Sequence, residues 1–350
     1  MNAIFSQRLK NARIMQNLSM DELCVRMNNL VSKQSISKYE AGKMMPDSTI
    51  LIALAKALNV KIDYFFRQFS VSLDSVEFRK KTRLQKRELS AIKEVIRDKV
   101  ERYIEVENIC CITSEFTTDF SNVIVHCEED VFALTTRLKK EWKLGEDGIN
   151  NLIEILEENK IKVIEIEAPE SFDGLSGFIG DKMPIIVLNK SFDTERKRFT
   201  ALHELGHILL SFDRNLDIKR IEYLCNLFAN EMLISRDVFI QMIGNSRKHI
   251  SFLELRDIQR QFGISVYALM FKARYLNVIT EQSFKSFCIS KNSNPELKKE
   301  VYLSIAKSEI SNRFDRLIYR ALASDVISSS KAATLLNVPL TTVLKNLNLL

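Results

Sequence analysis

The sequence lacks any cysteine pattern that would indicate a disulfide framework or a thiolate metal site. Its six cysteines form no C-x-x-C spacing and have no secretory context, so we expect them to be reduced. Long apolar runs are missing too, and Met1 to Ile4 leads directly into a charged helical segment. These absences argue against a secreted or membrane-spanning protein. They predict a cytoplasmic protein with no membrane partner.

Histidine is scarce, with four residues in the chain, and two of the four fall in one short motif. Residues 198–210 contain H-E-x-x-H on an apolar, helix-forming run, formed by His203, Glu204 and His207. At a spacing of four residues both imidazoles lie on one helix face and can reach one metal ion. The alternative is an accidental match of two solvated histidines. The apolar neighbours disfavour it, because buried histidines without partners or a metal would be costly.

A third ligand is expected downstream, where residues 221–234 form a helical segment. Glu222 and Glu231 both lie there, nine residues apart, and therefore point to opposite sides of the helix. Only one of them can face the metal, and spacing alone does not decide which. Cys225 is a further candidate, although a small thiol of this kind more often packs in a core.

A zinc site of two imidazoles and one carboxylate predicts a hydrolytic reaction. Such a site keeps one position open for water, whose pKa zinc lowers toward about 7. Glu204, next to the first histidine, would take a proton from that water and pass it to the leaving amine. A purely structural zinc site is disfavoured, because such sites usually fill all four positions with protein ligands. The pattern therefore predicts peptide-bond hydrolysis with Glu204 as the catalytic residue.

The N-terminal segment predicts a compact five-helix domain over residues 4–66. Ser19 and Glu22 have the spacing of a capping box that opens a short second helix. A third helix is expected to begin near Ser32 and to end before Gly42. Two short helices of this kind, the second carrying Lys, Gln and Ser on its exposed face, suit a DNA major groove.

Positive charge is concentrated in the same segment. Residues 1–70 contain ten lysines and arginines against five aspartates and glutamates, a net charge of +5 out of +6 for the whole chain. An excess of this kind on a DNA-binding domain attracts phosphates. The alternative is a helix-turn-helix used only for protein contacts, and the charge distribution disfavours it.

The N-terminal segment resembles a known family of DNA-binding proteins. Residues 18–23, 31–43 and 46–51 resemble the Cro-repressor (XRE) helix-turn-helix family. The resemblance implies binding to a double-stranded DNA operator, with dimerisation on paired half-sites as a family expectation. Gln34 is the best candidate for a bidentate contact with adenine. Further base or phosphate contacts are expected from Lys33, Ser37 and Lys38.

The metal-site segments resemble the ImmA/IrrE metallopeptidases. Residues 195–207 are similar to that family's E-R-x-R-F-T-x-x-H-E-x-G-H, and residues 222–229 to its E-x-x-A-N-x-F-A block. Because the first Glu of that block is the family's third zinc ligand, the resemblance implies Glu222 as the ligand beside His203 and His207. Glu231 then becomes a solvent-facing or structural carboxylate. Cys225 departs from the family, which usually has Ala there.

The predicted fold class is mainly α with a small β-sheet (α+β). A mixed-charge helical run at residues 77–105 is expected to link the two ends, and its charges are more typical of a solvated face. Runs rich in β-branched residues predict strands at 162–166, 175–179 and 184–189, in a mostly antiparallel sheet. The predicted domains are a helix-turn-helix domain at 1–70, a helical connector at 71–124, a zincin-like peptidase domain at 125–235, and a helical C-terminal region of unassigned role at 236–350.

Two functions from different classes follow. The first is a DNA-binding transcriptional regulator with a zinc endopeptidase domain. By family resemblance it would cleave a repressor, for which a helix-turn-helix protein is the candidate, to control mobile-element, phage or stress genes. The second is a catalytically silent transcription factor or antitoxin-type regulator that uses the peptidase fold to sense a ligand or partner. Residues 250–273 and 326–340 each have a pattern similar to a helix-turn-helix. We interpret both as small helical bundles and not as further DNA-binding elements, since neither exposes a matching basic face.

Overall fold

The computed structural model describes residues 2–71, 85–112, 116–118, 120, 123–180 and 182–347. Its helices are α1 (Asn2–Met15), α2 (Met20–Arg26), α3 (Lys33–Glu40), α4 (Ser48–Ala57), a 3-10 helix (Ile62–Phe66), α5 (Lys86–Ile109), α6 (Glu128–Glu141), α7 (Leu152–Glu158), α8 (Thr194–Leu209), α9 (Ile218–Leu233), α10 (Arg236–Ile243), α11 (Phe252–Phe262), α12 (Val266–Tyr275), α13 (Glu281–Ser293), α14 (Pro295–Val301), α15 (Arg313–Ala323), α16 (Ser329–Leu336) and α17 (Leu340–Leu347). Its strands are β1 (Ile124–Val125), β2 (Lys162–Ile166), β3 (Gly174–Ile179), β4 (Met183–Asn189) and β5 (Ser211–Phe212).

The predicted mainly helical fold with a small sheet is confirmed. The chain divides into two compact units, and they do not follow the chain in simple order. Unit 1 combines the N-terminal helices with α5 and with α15 to α17, whereas unit 2 spans residues 115–311. The four predicted domains were assigned by function, and their ranges stay predictions. Within the described ranges, no helix is both long and apolar enough to cross a bilayer.

In unit 1, the five N-terminal helices form around local capping signals. Ser19 accepts a hydrogen bond from the backbone of Glu22, whose side chain accepts one from the backbone of Ser19, so the predicted capping box is present at α2. At α3 the side chain of Ser32 caps the helix by accepting a hydrogen bond from the backbone of Ser35. The helices enclose an apolar core whose fully buried members include Phe5, Leu9, Leu23, Ile36, Leu54 and Phe65.

Helix α5 is the central element of unit 1. Near its middle, Glu101 accepts a 2.7 Å ion-pair contact from Arg8 of α1, and both side chains are 1% exposed. Toward its C-terminal end, Glu107 pairs with Arg313 of α15 at 2.6 Å. Because α5 contacts helices from both ends of the chain, residues 312–347 fold against it and not as an independent tail. The part of the predicted connector helix before residue 85 lies outside the described residues.

Unit 2 is built on a three-stranded sheet with the order β2-β4-β3. Strands β3 and β4 are antiparallel, as expected for a hairpin, but β2 and β4 are parallel. The prediction of a mostly antiparallel sheet is therefore wrong. The chain passes from β2 to β3, which runs in the opposite direction at the far edge of the sheet. The hairpin then returns β4 to the middle, so that β4 runs in the same direction as β2. Helices α8 and α9 pack together beside this sheet, and the apolar core extends from there to α14.

Candidate metal centre and DNA-binding helix

The H-E-x-x-H motif lies in the second half of α8, and the predicted third ligand lies in the first half of α9. Asp193 caps α8 by accepting a hydrogen bond from Arg196, and Asp217 caps α9 by accepting one from Arg220. Gly206 lets the two helices approach, since a Cβ there would come within 3.3 Å of Phe228 and 3.5 Å of Cys225. This close approach brings Glu222 opposite the two histidines.

The two imidazoles and the carboxylate converge on one point. The Nε2 atoms of His203 and His207 are 3.2 Å apart. The carboxylate of Glu222 lies 3.1 Å from the Nε2 of His203 and 3.4 Å from that of His207. Among the described residues this is the one group of three such side chains whose donor atoms all lie within 4.8 Å of one another.

These distances fit a tetrahedral zinc ion. With zinc–ligand bonds of about 2.0–2.1 Å, two ligands at a tetrahedral angle are roughly 3.3 Å apart. The donor set of His203, His207 and Glu222 also matches a common catalytic zinc set of two imidazoles and one carboxylate. All three side chains are at most 16% exposed, so they are shielded but still accessible.

Two side chains of α9 contact the outer nitrogens of the histidines. The Nδ1 of His203 lies 2.9 Å from the Oδ1 of Asn226, and the Nδ1 of His207 lies 3.4 Å from the Sγ of Cys225. The tautomer whose Nε2 lone pair binds a metal carries its proton on Nδ1, where it donates to these acceptors. Cys225 therefore contacts the side of His207 that faces away from the converging donors. This position explains why it does not belong to the ligand group.

Glu204 projects toward the sheet. The hydroxyl of Ser176 on β3 donates a 2.6 Å hydrogen bond to its Oε2. The helix periodicity of α8 places Glu204 about 100° from His203, so its carboxylate stands beside the converging donors without joining them. In the described part of the chain β3 is an edge strand of the sheet, so one of its sides has no neighbouring strand there.

Glu231, the other carboxylate of α9, has a structural position. It is 5% exposed, and its carboxylate pairs with the ammonium of Lys272 at 2.7 Å. Burial lowers the pKa of Lys272, and Glu231 opposes that shift. The same ammonium donates to Asn230 and to the backbone oxygen of Ile234. Glu231 is therefore committed to the packing of α12 against α9.

The predicted DNA-contacting side chains share one face of α3. Lys33, Gln34, Ser37 and Lys38 are all exposed, whereas Ile36 and Tyr39 anchor the opposite face in the core. Lys33 pairs with Asp21 of α2 at 2.6 Å, and both side chains are more than half exposed. The helix is fixed to α1 by a two-point contact between Arg13 and Glu40, at 2.6 and 2.8 Å. The arrangement anchors α3 to the core and leaves it a polar outer face.

Two family models match the sequence, each over one part of the chain. Residues 9–65 match the helix-turn-helix family, and residues 156–274 match the IrrE N-terminal-like domain. The chain carries both of these domains. The resemblance to helix-turn-helix and ImmA/IrrE proteins predicted from the motifs is confirmed. The helix-turn-helix domain includes α3, and the IrrE-like domain includes α8 and α9 with all the converging donors.

Comparisons beyond these two domains add little. No curated protein matches the chain. Among solved structures, the chain is similar to the apo form of ComR from S. thermophilus at 12% identity, over 96% of this chain and 100% of that one. The TM-score of that likeness is 0.18, which is too low to bear on the fold or the function. The two domains support a DNA-binding regulator fused to a metallopeptidase-type domain.

The sequence analysis assigned no role to two residues of the site, Asn226 and Ser176. Asn226 lies four residues after Glu222, one helical turn along α9, and that spacing could have indicated a shared face. Ser176 lies 28 residues before Glu204 on a strand. Nothing in the local sequence of Ser176 distinguishes it from other strand serines. Its role emerges only from the packing of β3 against α8.

Proposed function

We propose that the chain is a DNA-binding transcriptional regulator whose IrrE-like domain is a zinc-dependent endopeptidase that cleaves a repressor protein. The observation that carries the proposal is the convergence of His203, His207 and Glu222, with Glu204 beside them. A binding or structural role alone would not require a carboxylate next to the first histidine.

In this proposal zinc is held by the two Nε2 atoms and the carboxylate of Glu222. When bound, zinc supplies a Lewis acid that polarises the scissile carbonyl and makes water a stronger acid. Asn226 and Cys225 fix the two imidazole rings through their Nδ1 atoms, which keeps both Nε2 lone pairs directed inward. Glu204 accepts the proton that the attacking water loses and delivers it to the leaving amine.

Ser176 has a positioning part in the same proposal. Its hydroxyl holds one oxygen of Glu204 at 2.6 Å, which fixes the orientation of the carboxylate plane beside the converging donors. The edge of β3 offers backbone groups that can pair with an extended substrate segment. Together these features suit a protein substrate more than a small molecule.

The DNA partner in the proposal is a double-stranded operator bound by α3. Gln34 would contact a base edge, and Lys33, Ser37 and Lys38 would contact bases or phosphates. Pairing of Lys33 with Asp21 is no obstacle, because exposed ion pairs contribute little free energy and exchange readily. Binding as a homodimer would match paired half-sites.

The proposal is tested by incubating zinc-loaded wild type and Glu204→Gln with candidate helix-turn-helix repressors, beginning with any that is encoded beside the gene. Zinc content is measured for both proteins before the assay. We expect a discrete cleavage product from wild type only, with equal zinc in both proteins, because the substitution removes the base and leaves the ligands. A Glu222→Gln variant should lose zinc as well as cleavage.

Two other outcomes would contradict parts of the proposal. Cleavage by both proteins would remove Glu204 from its role as base. No cleavage by a zinc-loaded wild type, with operator binding intact, would favour the catalytically silent regulator instead.

A further inference from the structure

Unit 2 contains a cavity of about 770 Å³ beside the candidate metal centre. It is bounded by α8, α9, α12 and the segment that follows α14. Its walls carry six aromatic side chains: Phe199, Tyr223, Tyr267, Phe271, Tyr275 and Tyr302. A cavity of this size falls within the range of about 300–1,000 Å³ that holds drug-sized ligands or short peptide segments.

The cavity and the metal centre share two helices and one side chain. On α8, Phe199 lies one turn before His203 and on the same face. On α9, Asn226 lines the cavity while its Oδ1 lies 2.9 Å from the Nδ1 of that histidine. Tyr223, another wall residue, directly follows Glu222. A chain bound at the metal centre would therefore have the mouth of the cavity within reach of its neighbouring side chains.

The charged groups in the walls already have partners. Asp193 caps α8, Arg196 pairs with Asp173 at 2.7 Å, and Lys272 pairs with Glu231. Glu195 accepts hydrogen bonds from Gln259, Ser304 and two backbone amides. Because these groups are satisfied within the protein, a charged ligand would lose its hydration without gaining a counter-charge. The walls thus favour a neutral, apolar occupant.

We infer that this cavity receives large apolar side chains, aromatic ones above all, of the polypeptide cut at the metal centre. The inference rests on the proposed peptidase function and names its substrate class: proteins whose scissile bond lies next to a Phe, Tyr, Trp or Leu residue. Offset and edge-to-face contacts with the aromatic walls would stabilise such a side chain beyond simple burial. The cavity is large enough for two neighbouring apolar side chains.

The test uses a library of decapeptides with randomised flanks and one fixed central residue: Phe, Leu, Ala or Asp. Cleavage by the zinc-loaded wild type is mapped by mass spectrometry. Binding of the same sets to zinc-loaded Glu204→Gln is measured by calorimetry, so that recognition is seen without turnover. We expect Phe and Leu sets to be cut at the fixed residue and to bind at least about tenfold more tightly than Ala or Asp sets.

A cavity-filling variant and a matched control separate this role from general effects. Ala268 lines the cavity on α12, whereas Ala133 is exposed on α6 in the same unit. Ala268→Phe should abolish the preference for Phe over Ala, and Ala133→Phe should keep it. Circular dichroism and zinc content of both variants should match wild type.

The remaining outcomes are distinguishable. Cleavage with no apolar preference, unchanged in Ala268→Phe, would overturn the inference and leave the peptidase proposal standing. Absence of any cleavage, with Phe peptides still binding and Ala268→Phe still blocking them, would show a ligand pocket without a peptidase. That result would overturn both the peptidase proposal and the substrate role of the cavity.

Discussion

Glu195 shows how one buried carboxylate organises unit 2. It is 3% exposed and accepts hydrogen bonds from Gln259, from Ser304 and from the backbone of Ile305 at 2.9 Å. Burial raises the pKa of Glu195, but these hydrogen bonds outweigh it, so the folded pKa lies below the ordinary value near 4.5. The charged carboxylate thereby holds the segment after α14 against α8.

This shift predicts a defined pH dependence of stability. A carboxyl group with a lowered folded pKa contributes stability that is complete above about pH 4.5 and is lost as the pH falls toward the folded pKa. We expect Glu195→Gln to lower the free energy of unfolding by about 2 kcal/mol at pH 7 and by progressively less below pH 4.5. Urea unfolding followed by the fluorescence of Trp142, the single tryptophan, measures it in unit 2.

The matched control is Glu170→Gln, since Glu170 is exposed in the same unit. Its stability should follow wild type at every pH. If the Glu195→Gln difference were constant from pH 7 to pH 3, the contribution of this group to acid sensitivity would be refuted.

At the scale of elements, the end of α11 is fixed against α8 by Arg198. The guanidinium donates to the backbone oxygens of Phe262 and Ile149 and lies 3.3 Å from Glu309. Gly263 ends α11 in a left-handed conformation with φ of 60°, and a Cβ there would lie 1.8 Å from the Nη1 of Arg198. Glycine at this position therefore serves both the backbone turn and the close approach of the arginine.

A comparison of Gly263→Ala with Gly145→Ala tests how much the close approach of Arg198 contributes to stability. Gly145 has φ of 67° and open space around its missing Cβ, so its substitution costs only the backbone strain of about 1–2 kcal/mol. Gly263→Ala must also displace the Arg198 guanidinium from its buried acceptors. We therefore expect it to lower the free energy of unfolding by roughly 1–3 kcal/mol more than Gly145→Ala does. Urea unfolding followed at Trp142 compares the two variants. Equal losses of stability in the two variants would contradict the role of Arg198 in fixing the end of α11 against α8.

Local elements of the fold were predictable from the sequence. Helix starts such as Ser19 and Ser251 were predictable because a capping box is a local pattern of four residues. The three sheet strands were predictable from runs of β-branched residues. The parallel pairing of β2 with β4 was not, because strand order depends on contacts that no local run encodes.

The candidate site likewise combines residues that the sequence predicts with contacts that it does not. His203, Glu204 and His207 follow from helix periodicity alone, and their grouping with Glu222 needed the resemblance to a family because spacing left Glu231 open. The contact of Ser176 with Glu204 joins a strand to a helix, and the packing of α15 on α5 joins segments about 200 residues apart. Such contacts arise from tertiary packing, which the pattern along the chain does not specify.

At the scale of the whole molecule, the two proposed activities lie in units with separate apolar cores. The helix-turn-helix core is confined to residues 5–65, and the core around α8 and α9 extends from Phe120 to Val301. We expect an exposed substitution in one unit to leave the apolar core of the other unit unchanged. We therefore expect that each proposed activity can be removed without the other.

Gln34→Ala tests this separation from the DNA side. Gln34 is exposed on α3, so its truncation removes a base contact without a cavity, and we expect operator affinity to fall by about 1–3 kcal/mol. Affinity is measured on a genomic fragment selected by the wild-type protein, at two salt concentrations. If Lys38 contacts a phosphate, Lys38→Gln should instead weaken binding to all sequences and lower the salt slope by about 1, because such a contact carries no sequence information. Both variants should keep wild-type zinc content and cleavage, and Glu204→Gln should keep wild-type operator affinity. Loss of cleavage in Gln34→Ala would show that the two activities are coupled, since the substituted side chain lies outside the unit that holds the metal donors.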